Sequence, residues 1–140
     1  LHLNSMLGEA DLLRGALEPG MRMGSMMAPT VVVDATSLVL AVGAAGGTRL
    51  RTALLQVAAG VLDEGLPAAE AVARPRLHPA ARRVQLEPGF ADETVAALER
   101  AGFEARVWPA PHHFFGGVSL VTPSSAAGDP RRSGTAALVP

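Results

Sequence analysis

The sequence predicts a layered fold of mixed helices and strands, either α/β or α+β. Three observations carry this. A β-branched run, Thr30-Val31-Val32-Val33, is followed after a short turn by a second apolar run from Leu38 to Val42, which reads as a hairpin. Leu50, Leu54, Val57 and Val61 recur at helical spacing between Arg49 and Leu62. Further short strand and helix patterns then alternate toward the C-terminus.

From Leu1 to Gly24 the pattern is irregular, broken by Gly8, Gly15, Pro19 and Gly20, and predicts loop with one short helical turn. Asp34-Ala35-Thr36-Ser37 is the turn of the hairpin. Gly43-Ala44-Ala45-Gly46-Gly47 follows, with Thr48 as the expected N-cap of the helix and Gly65 as its stop. Pro67 to Ala73 suits a second short helix, ended before Pro75. Arg83 to Glu87 alternates as a strand, and Asp92 to Ala101 is helical with Val95 and Leu98 inward and Gly102 as C-terminal cap. Ala105 to Trp108 and Phe115 to Val121 read as strands. The tail from Ser124 reads as loop with a short terminal strand.

The 140 residues fit one domain or a piece of one, and a hydrophobic fraction of 49% suffices for a core. The formal net charge of −1 gives no electrostatic reason to expect nucleic acid or an anionic membrane as partner. Cysteine is absent, which excludes disulfides, thiolate metal sites and a cysteine nucleophile. Leu1-His2-Leu3-Asn4 does not read as a signal peptide, and no apolar stretch is long enough to span a membrane. The chain starts at Leu1 rather than Met, so chain start and gene start are expected to differ. The compartment is left open.

The glycine loop is the feature with chemical content. A loop between a strand and a helix faces the unpartnered N–H groups of the helix's first turn, and glycine lets backbone approach a ligand closely. Such a place holds an anion, a phosphate or a developing oxyanion. The phosphate reading is poor: no lysine precedes Thr48, and Gly43, Gly46 and Gly47 do not have dinucleotide-motif spacing. A packing turn is the other reading that the loop alone allows.

Four stretches occur in order: Leu3-Asn4-Ser5-Met6-Leu7-Gly8-Glu9, Gly24-Ser25-Met26-Met27-Ala28-Pro29-Thr30, Gly43-Ala44-Ala45-Gly46-Gly47-Thr48-Arg49 and Gly128-Asp129-Pro130-Arg131. Taken together they resemble the small subunit of γ-glutamyltranspeptidases. Glu70 to His78, with its Pro75-Arg76-Leu77-His78, resembles the family's helix and the Pro-Arg-x-His after it. The similarity covers nearly the whole chain, so residues 1–140 are identified as the C-terminal part of the small-subunit domain. The resemblance implies an α+β fold, part of the four-layer αββα sandwich of N-terminal-nucleophile hydrolases. It implies γ-glutamyl transfer or hydrolysis on glutathione-type amides, the acceptor being an amino acid, a peptide or water. The nucleophile would be a self-exposed threonine activated by its own α-amino group. That threonine lies a few dozen residues before the asparagine-led segment, so this chain lacks it, and neither Thr30 nor Thr48 replaces it. A large subunit from the same precursor is the implied partner, and no cofactor or metal is implied.

By the same resemblance Gly46 and Gly47 carry the oxyanion-hole N–H groups, Ser25 holds the substrate's α-carboxylate, and Glu9, with Asn4 in the same segment, meets the α-ammonium. Asp11 rivals Glu9. Two departures stand out. Met6 occupies a position where many members have glutamine, and Ser25-Met26 or Gly24-Ser25 replaces an adjacent serine pair. They keep open an amidase or acylase of the same fold acting on other acyl groups. The missing nucleophile keeps open an inactive binding or structural relative. Arg49 and Arg51 sit at the end of the helix dipole that disfavours cations; they read as a solvated face, with a bound carboxylate nearby as the other reading. His78 reads as structural and Trp108 as core. His112 and His113, taken as neighbours in a strand, would point to opposite faces and could not chelate together.

Overall fold

The computed structural model describes residues 12, 15–16, 18–22 and 24–138. The hairpin forms as expected. Strand β1 (Thr30–Val33) pairs antiparallel with β2 (Leu38–Ala45), Val31 facing Ala41 across the ladder. Asp34 closes the turn because its Oδ1 accepts the Thr36 and Ser37 N–H groups at 2.7 and 2.8 Å, an aspartate turn. Strand β2 runs on to Ala45, so Gly43 and Ala44, taken as loop from composition, belong to the sheet. Then come α1 (Leu50–Leu62), α2 (Ala68–Ala73), β3 (Leu77–Ala80), β4 (Arg83–Leu86), α3 (Asp92–Arg100) and β5 (Glu104–Val107). A 3-10 turn (His113–Phe115), β6 (Gly117–Val121), β7 (Ala126–Gly128) and a second 3-10 turn (Pro130–Arg132) complete the order.

Two sheets result. The larger is antiparallel and four-stranded, in the order β1-β2-β6-β7. The smaller has three strands in the order β3-β4-β5 and is mixed, because α3 returns β5 parallel to β4. Strand β3 was not anticipated from the sequence, since Pro79 lies inside it. It is an edge strand of this sheet, where the missing proline N–H costs no ladder bond.

Helices α1 and α2 cover one face of the larger sheet. Leu40, Val42, Val118 and Leu120 point toward Ala53, Leu54, Val57, Ala71 and Val72 and form the main core. The opposite face stays open and apolar: Val31, Ala41, Val121 and Ala126 lie in one cross-strand row, with Val31 65% and Val121 47% exposed. Together, one helical layer and one sheet with a bare second face are half of an αββα sandwich. No described helix is long and apolar enough to cross a membrane.

One local expectation is corrected. Helix α1 begins at Leu50 with Arg49, not Thr48, as N-cap and without a side-chain cap bond. The Leu50 N–H donates to the Gly47 carbonyl at 3.1 Å, and this tight turn moves the helix start downstream. Helix α3 buries no residue fully; Val95 and Leu98 are half-buried against the small sheet.

Candidate active site

The glycine loop sits where β2, next to β6 within the larger sheet, hands over to α1. Gly46 has φ +143°, a conformation that side-chain-bearing residues rarely adopt. A Cβ there would meet Gly116 Cα and Leu50 Cδ2 at 3.6 Å and Arg132 Nη2 at 3.8 Å, ordinary contacts. Backbone conformation, not lack of room, therefore demands glycine at this position. A second glycine pair, Gly116-Gly117, abuts the loop. Gly116 has φ +82°, and a Cβ on Gly117 would collide with the Arg132 stem lying over it. Sequence reading passed over this pair; its signal was two glycines directly before an apolar strand.

Beside the loop lies a cleft of about 420 Å³ lined by Leu12, Ser25, Met26, Met27, Ala28, Thr48 and Arg51. It brings Ser25 to the N-terminal turn of α1, next in sequence to Gly46 and Gly47. Ser25 is exposed, and its Oγ accepts the Met27 N–H at 3.1 Å, which leaves its own proton free to donate. Asn4, Glu9, Met6 and Asp11 lie outside the described residues. Thr30 is engaged locally, donating to the Ala28 carbonyl at 3.0 Å.

The two arginines expected to form one solvated face behave differently. Arg49 is half-buried, with its guanidinium carbon 4.2 Å from the centroid of the Phe114 ring, a cation–π contact. Arg51 is exposed and lines the cleft. Phe114 also stacks on Trp108 at 4.8 Å, and Trp108 donates from Nε1 to Gln85 at 2.7 Å, so the tryptophan is half-buried rather than core. The histidine pair is not in a strand. His112 and His113 enter a 3-10 turn with ring centroids 4.0 Å apart, and His112 Nδ1 accepts the Phe114 N–H. The opposite-faces argument therefore does not apply; the two rings lie side by side, tilted by 33°. Among the described residues no three His, Cys, Asp or Glu side chains are grouped to hold a metal. His78 is structural: its Nδ1 lies 2.8 Å from Thr52 Oγ1, tying β3 to the first turn of α1. Burial first, then the charges of Arg49 and Arg51, push its pKa below the ordinary value.

Beneath the site the two arginine-bearing motifs meet. Arg76, Glu87, Asp129 and Arg131 form a buried cluster whose formal charges cancel. Arg131 forks onto Glu87 at 2.7 and 2.5 Å and donates to the Val72 and Arg74 carbonyls, each at 2.8 Å. Arg76 pairs with Asp129 at 2.7 Å, and Asp129 in turn accepts the Val118 N–H at 2.9 Å. Burial opposes ionisation of Asp129, but the Val118 N–H and the Arg76 charge outweigh it and hold its carboxyl below the usual range. Glu87 was not singled out from the sequence, where it looks like the polar end of an alternating strand.

A helix-covered antiparallel sheet that delivers a glycine loop to a helix start, with its second face bare, agrees with the half-sandwich that the resemblance to N-terminal-nucleophile hydrolases implies. The solved structures agree. The γ-glutamyltranspeptidase from Pseudomonas nitroreducens complexed with L-DON superposes with a TM-score of 0.74 at 28% identity, over 89% of this chain and 68% of that one. The cephalosporin acylase from Bacillus halodurans gives 0.77 at 26% identity, over 87% of this chain and 24% of that one. A family profile for gamma-glutamyltranspeptidase matches residues 8–139, and the chain belongs to that family. The glutathione hydrolase proenzyme of Escherichia coli K12 is 37% identical over 89 residues, 62% of this chain but 15% of that protein. The chain thus spans a small part of the length of this curated relative.

Proposed function

We propose that this chain carries the oxyanion loop and part of the acyl pocket of an enzyme that transfers or hydrolyses γ-glutamyl groups of glutathione-like amides. The observation that carries the reading is Gly46 at φ +143°, at the junction of β2 and α1 in a chain of this family. In this reading the N–H groups of Gly46 and Gly47 receive the oxygen of the tetrahedral intermediate, where preorganised donors lower the barrier most. Ser25 donates to the substrate's α-carboxylate. Asn4 and Glu9 face its ammonium. A threonine from a preceding segment attacks the γ-carbonyl, its α-amino group takes the hydroxyl proton and gives it to the leaving nitrogen, and the C–N bond breaks to leave the acyl-threonine ester. An amino acid, a peptide or water then takes the acyl group.

Residues 1–140 are the C-terminal part of the small-subunit domain in this proposal. The bare face bearing Val31, Ala41 and Val121 is covered by strands from the rest of the precursor, and a large subunit completes the pocket. The fit of a half-sandwich with an open apolar face supports this. The test is turnover of γ-glutamyl-p-nitroanilide by the full-length processed protein, beside an acylase substrate, together with the intact mass of every chain. Release from the γ-glutamyl compound and a chain beginning with threonine are expected. No release, or no threonine-initiated chain, rejects the reading.

A further inference from the structure

We propose that Arg132 binds the carboxylate of the acceptor, so that amino acids and short peptides with a free C-terminus take the acyl group in preference to uncharged amines. The inference rests on the function proposed above and concerns the side of the glycine loop away from the acyl cleft.

The sheet order sets the two sides. Strand β2 leads into the loop with β1 on one flank and β6 on the other. The acyl cleft is lined by Ser25 to Ala28, just before β1, together with Thr48 and Arg51. On the other flank Gly117 opens β6, opposite Ala45 at the end of β2. Arg132 lies there. A Cβ on Gly117 would clash with Arg132 Cδ and come within 2.9 Å of its Cγ and 3.1 Å of its Nε. The absent side chain thus lets the arginine stem rest on the backbone of β6. The stem carries the guanidinium to the loop, where Nη2 is 3.8 Å from the Cβ position of Gly46. The two other arginines near this strand start are committed elsewhere: Arg131 to Glu87 and Asp129, and Arg76 to Asp129. Arg132 is exposed, and among the described residues its guanidinium joins no ion pair.

The reacting carbon decides the occupant. Its acyl chain and its leaving group are separate substituents that point away from each other. With the chain in the cleft on the β1 side, the leaving nitrogen, and later the incoming one, lies toward β6 and Arg132. The incoming amine forms the new C–N bond as the ester C–O bond breaks, and its proton returns to the threonine oxygen. A guanidinium beside that nitrogen matches a planar anion on the same molecule, and the carboxylate of an amino acid or short peptide fits its fork.

Glycylglycine and glycylglycinamide are the paired acceptors, used with γ-glutamyl-p-nitroanilide and the full-length processed protein. Wild type should take glycylglycine at the lower KM. Arg132→Met keeps a stem over Gly117 and is expected to raise that KM by about 10-fold, the lower end for a hydrogen bond to a charged group because the site is exposed. KM for the amide should stay the same, Arg132→Lys should recover part of the loss, and both variants should melt with wild type. An ion pair with a carboxylate from the preceding segment is the competing role, and it predicts a lower melting temperature and equal effects on the two acceptors. Equal effects, or a wild type indifferent to the carboxylate, overturn the inference and leave the function standing. Where γ-glutamyl turnover is absent, the function fails and calorimetry decides on Arg132. Tighter binding of glycylglycine than of its amide, lost in Arg132→Met, then supports the inference, and no such difference overturns it.

Discussion

Replacing Arg131 by methionine should destabilise the fold more than any single surface change. The arginine side chain is 3% exposed and Glu87 is fully buried. Its guanidinium satisfies both oxygens of Glu87, one oxygen of Asp129 and the carbonyls of Val72 and Arg74. Methionine matches the stem in bulk but offers none of these donors. The cluster would be left with one arginine against two buried carboxylates, and two carbonyls would lose a partner. Breaking a buried pair from one side costs about 3–5 kcal/mol. For a domain of this size each kcal/mol is worth roughly 2–8 °C, so a drop of about 10 °C or more is expected in thermal melting of the full-length protein. The internal control is Arg83→Met. Arg83 pairs with Glu104 at a comparable 2.9 Å, yet their side chains are 50% and 63% exposed. Exposed pairs contribute about 0–1 kcal/mol, so this variant should melt near wild type. Equal shifts for the two variants would refute the reasoning, since they would mean that burial does not set the value of the pair.

Three further outcomes follow from the same geometry. Gly46→Ala forces a side chain into φ +143° at a cost of roughly 1–3 kcal/mol, and should lower kcat about 100-fold with KM within a few-fold; unchanged kcat would remove the loop from the chemistry. Ser25→Ala should raise KM for γ-glutamyl-p-nitroanilide by about 10-fold without changing the melting temperature, and an unaltered KM would release Ser25 from the carboxylate. The folded state lowers the His78 pKa, so below the ordinary value of 6.5 the unfolded chain binds the proton more readily. Its contribution is therefore complete above that pH and is lost as pH falls through the folded-state pKa. Melting temperature should decline on acidification below that point, more steeply for wild type than for His78→Gln, and parallel pH profiles would contradict this.

The legible parts of the sequence were those governed by local rules. The β1–β2 hairpin follows from β-branched residues and an aspartate turn, and α1 from one apolar stripe. Gly102 at φ +86° after α3 was visible as a cap for the same reason. What escaped required knowledge of the partner across space. Pro79 hid β3 because only the sheet order shows that it sits on an edge. Glu87 looked like a polar strand end until Arg131, far along the chain, came to lie on it. Arg49 and Arg51 read alike because charge spacing on a helix does not reveal that one neighbour is Phe114 and the other a cleft. The histidine pair was judged by strand geometry in a segment that turns. The glycine loop was placed correctly by its flanking elements, but its first glycine proved to be sheet, since alanine and glycine do not mark where pairing with β6 stops.

The buried cluster and the glycine loop belong to one mechanical unit. Asp129 accepts the N–H of Val118, at the start of β6, and Arg76 Nη1 lies 3.4 Å from the Phe115 carbonyl. These two contacts hold both ends of Phe115-Gly116-Gly117-Val118. Gly116 is wedged beside Ala53 of α1, where a Cβ would come within 3.1 Å of the alanine methyl, and its Cα backs the Cβ position of Gly46. The glycine loop thus rests on a backbone segment clamped by members of the ion pairs rather than by apolar packing alone. Under the proposed function that arrangement suits the loop's donors, because a donor that reorganises during reaction gives up much of its advantage. It also accounts for the joint appearance of the Pro75-Arg76 and Asp129-Pro130-Arg131 motifs in one chain with Gly46-Gly47. Each arginine is buried where the other motif's carboxylate, or Glu87, meets it, and the segment that backs Gly46 is held by Arg76 and Asp129.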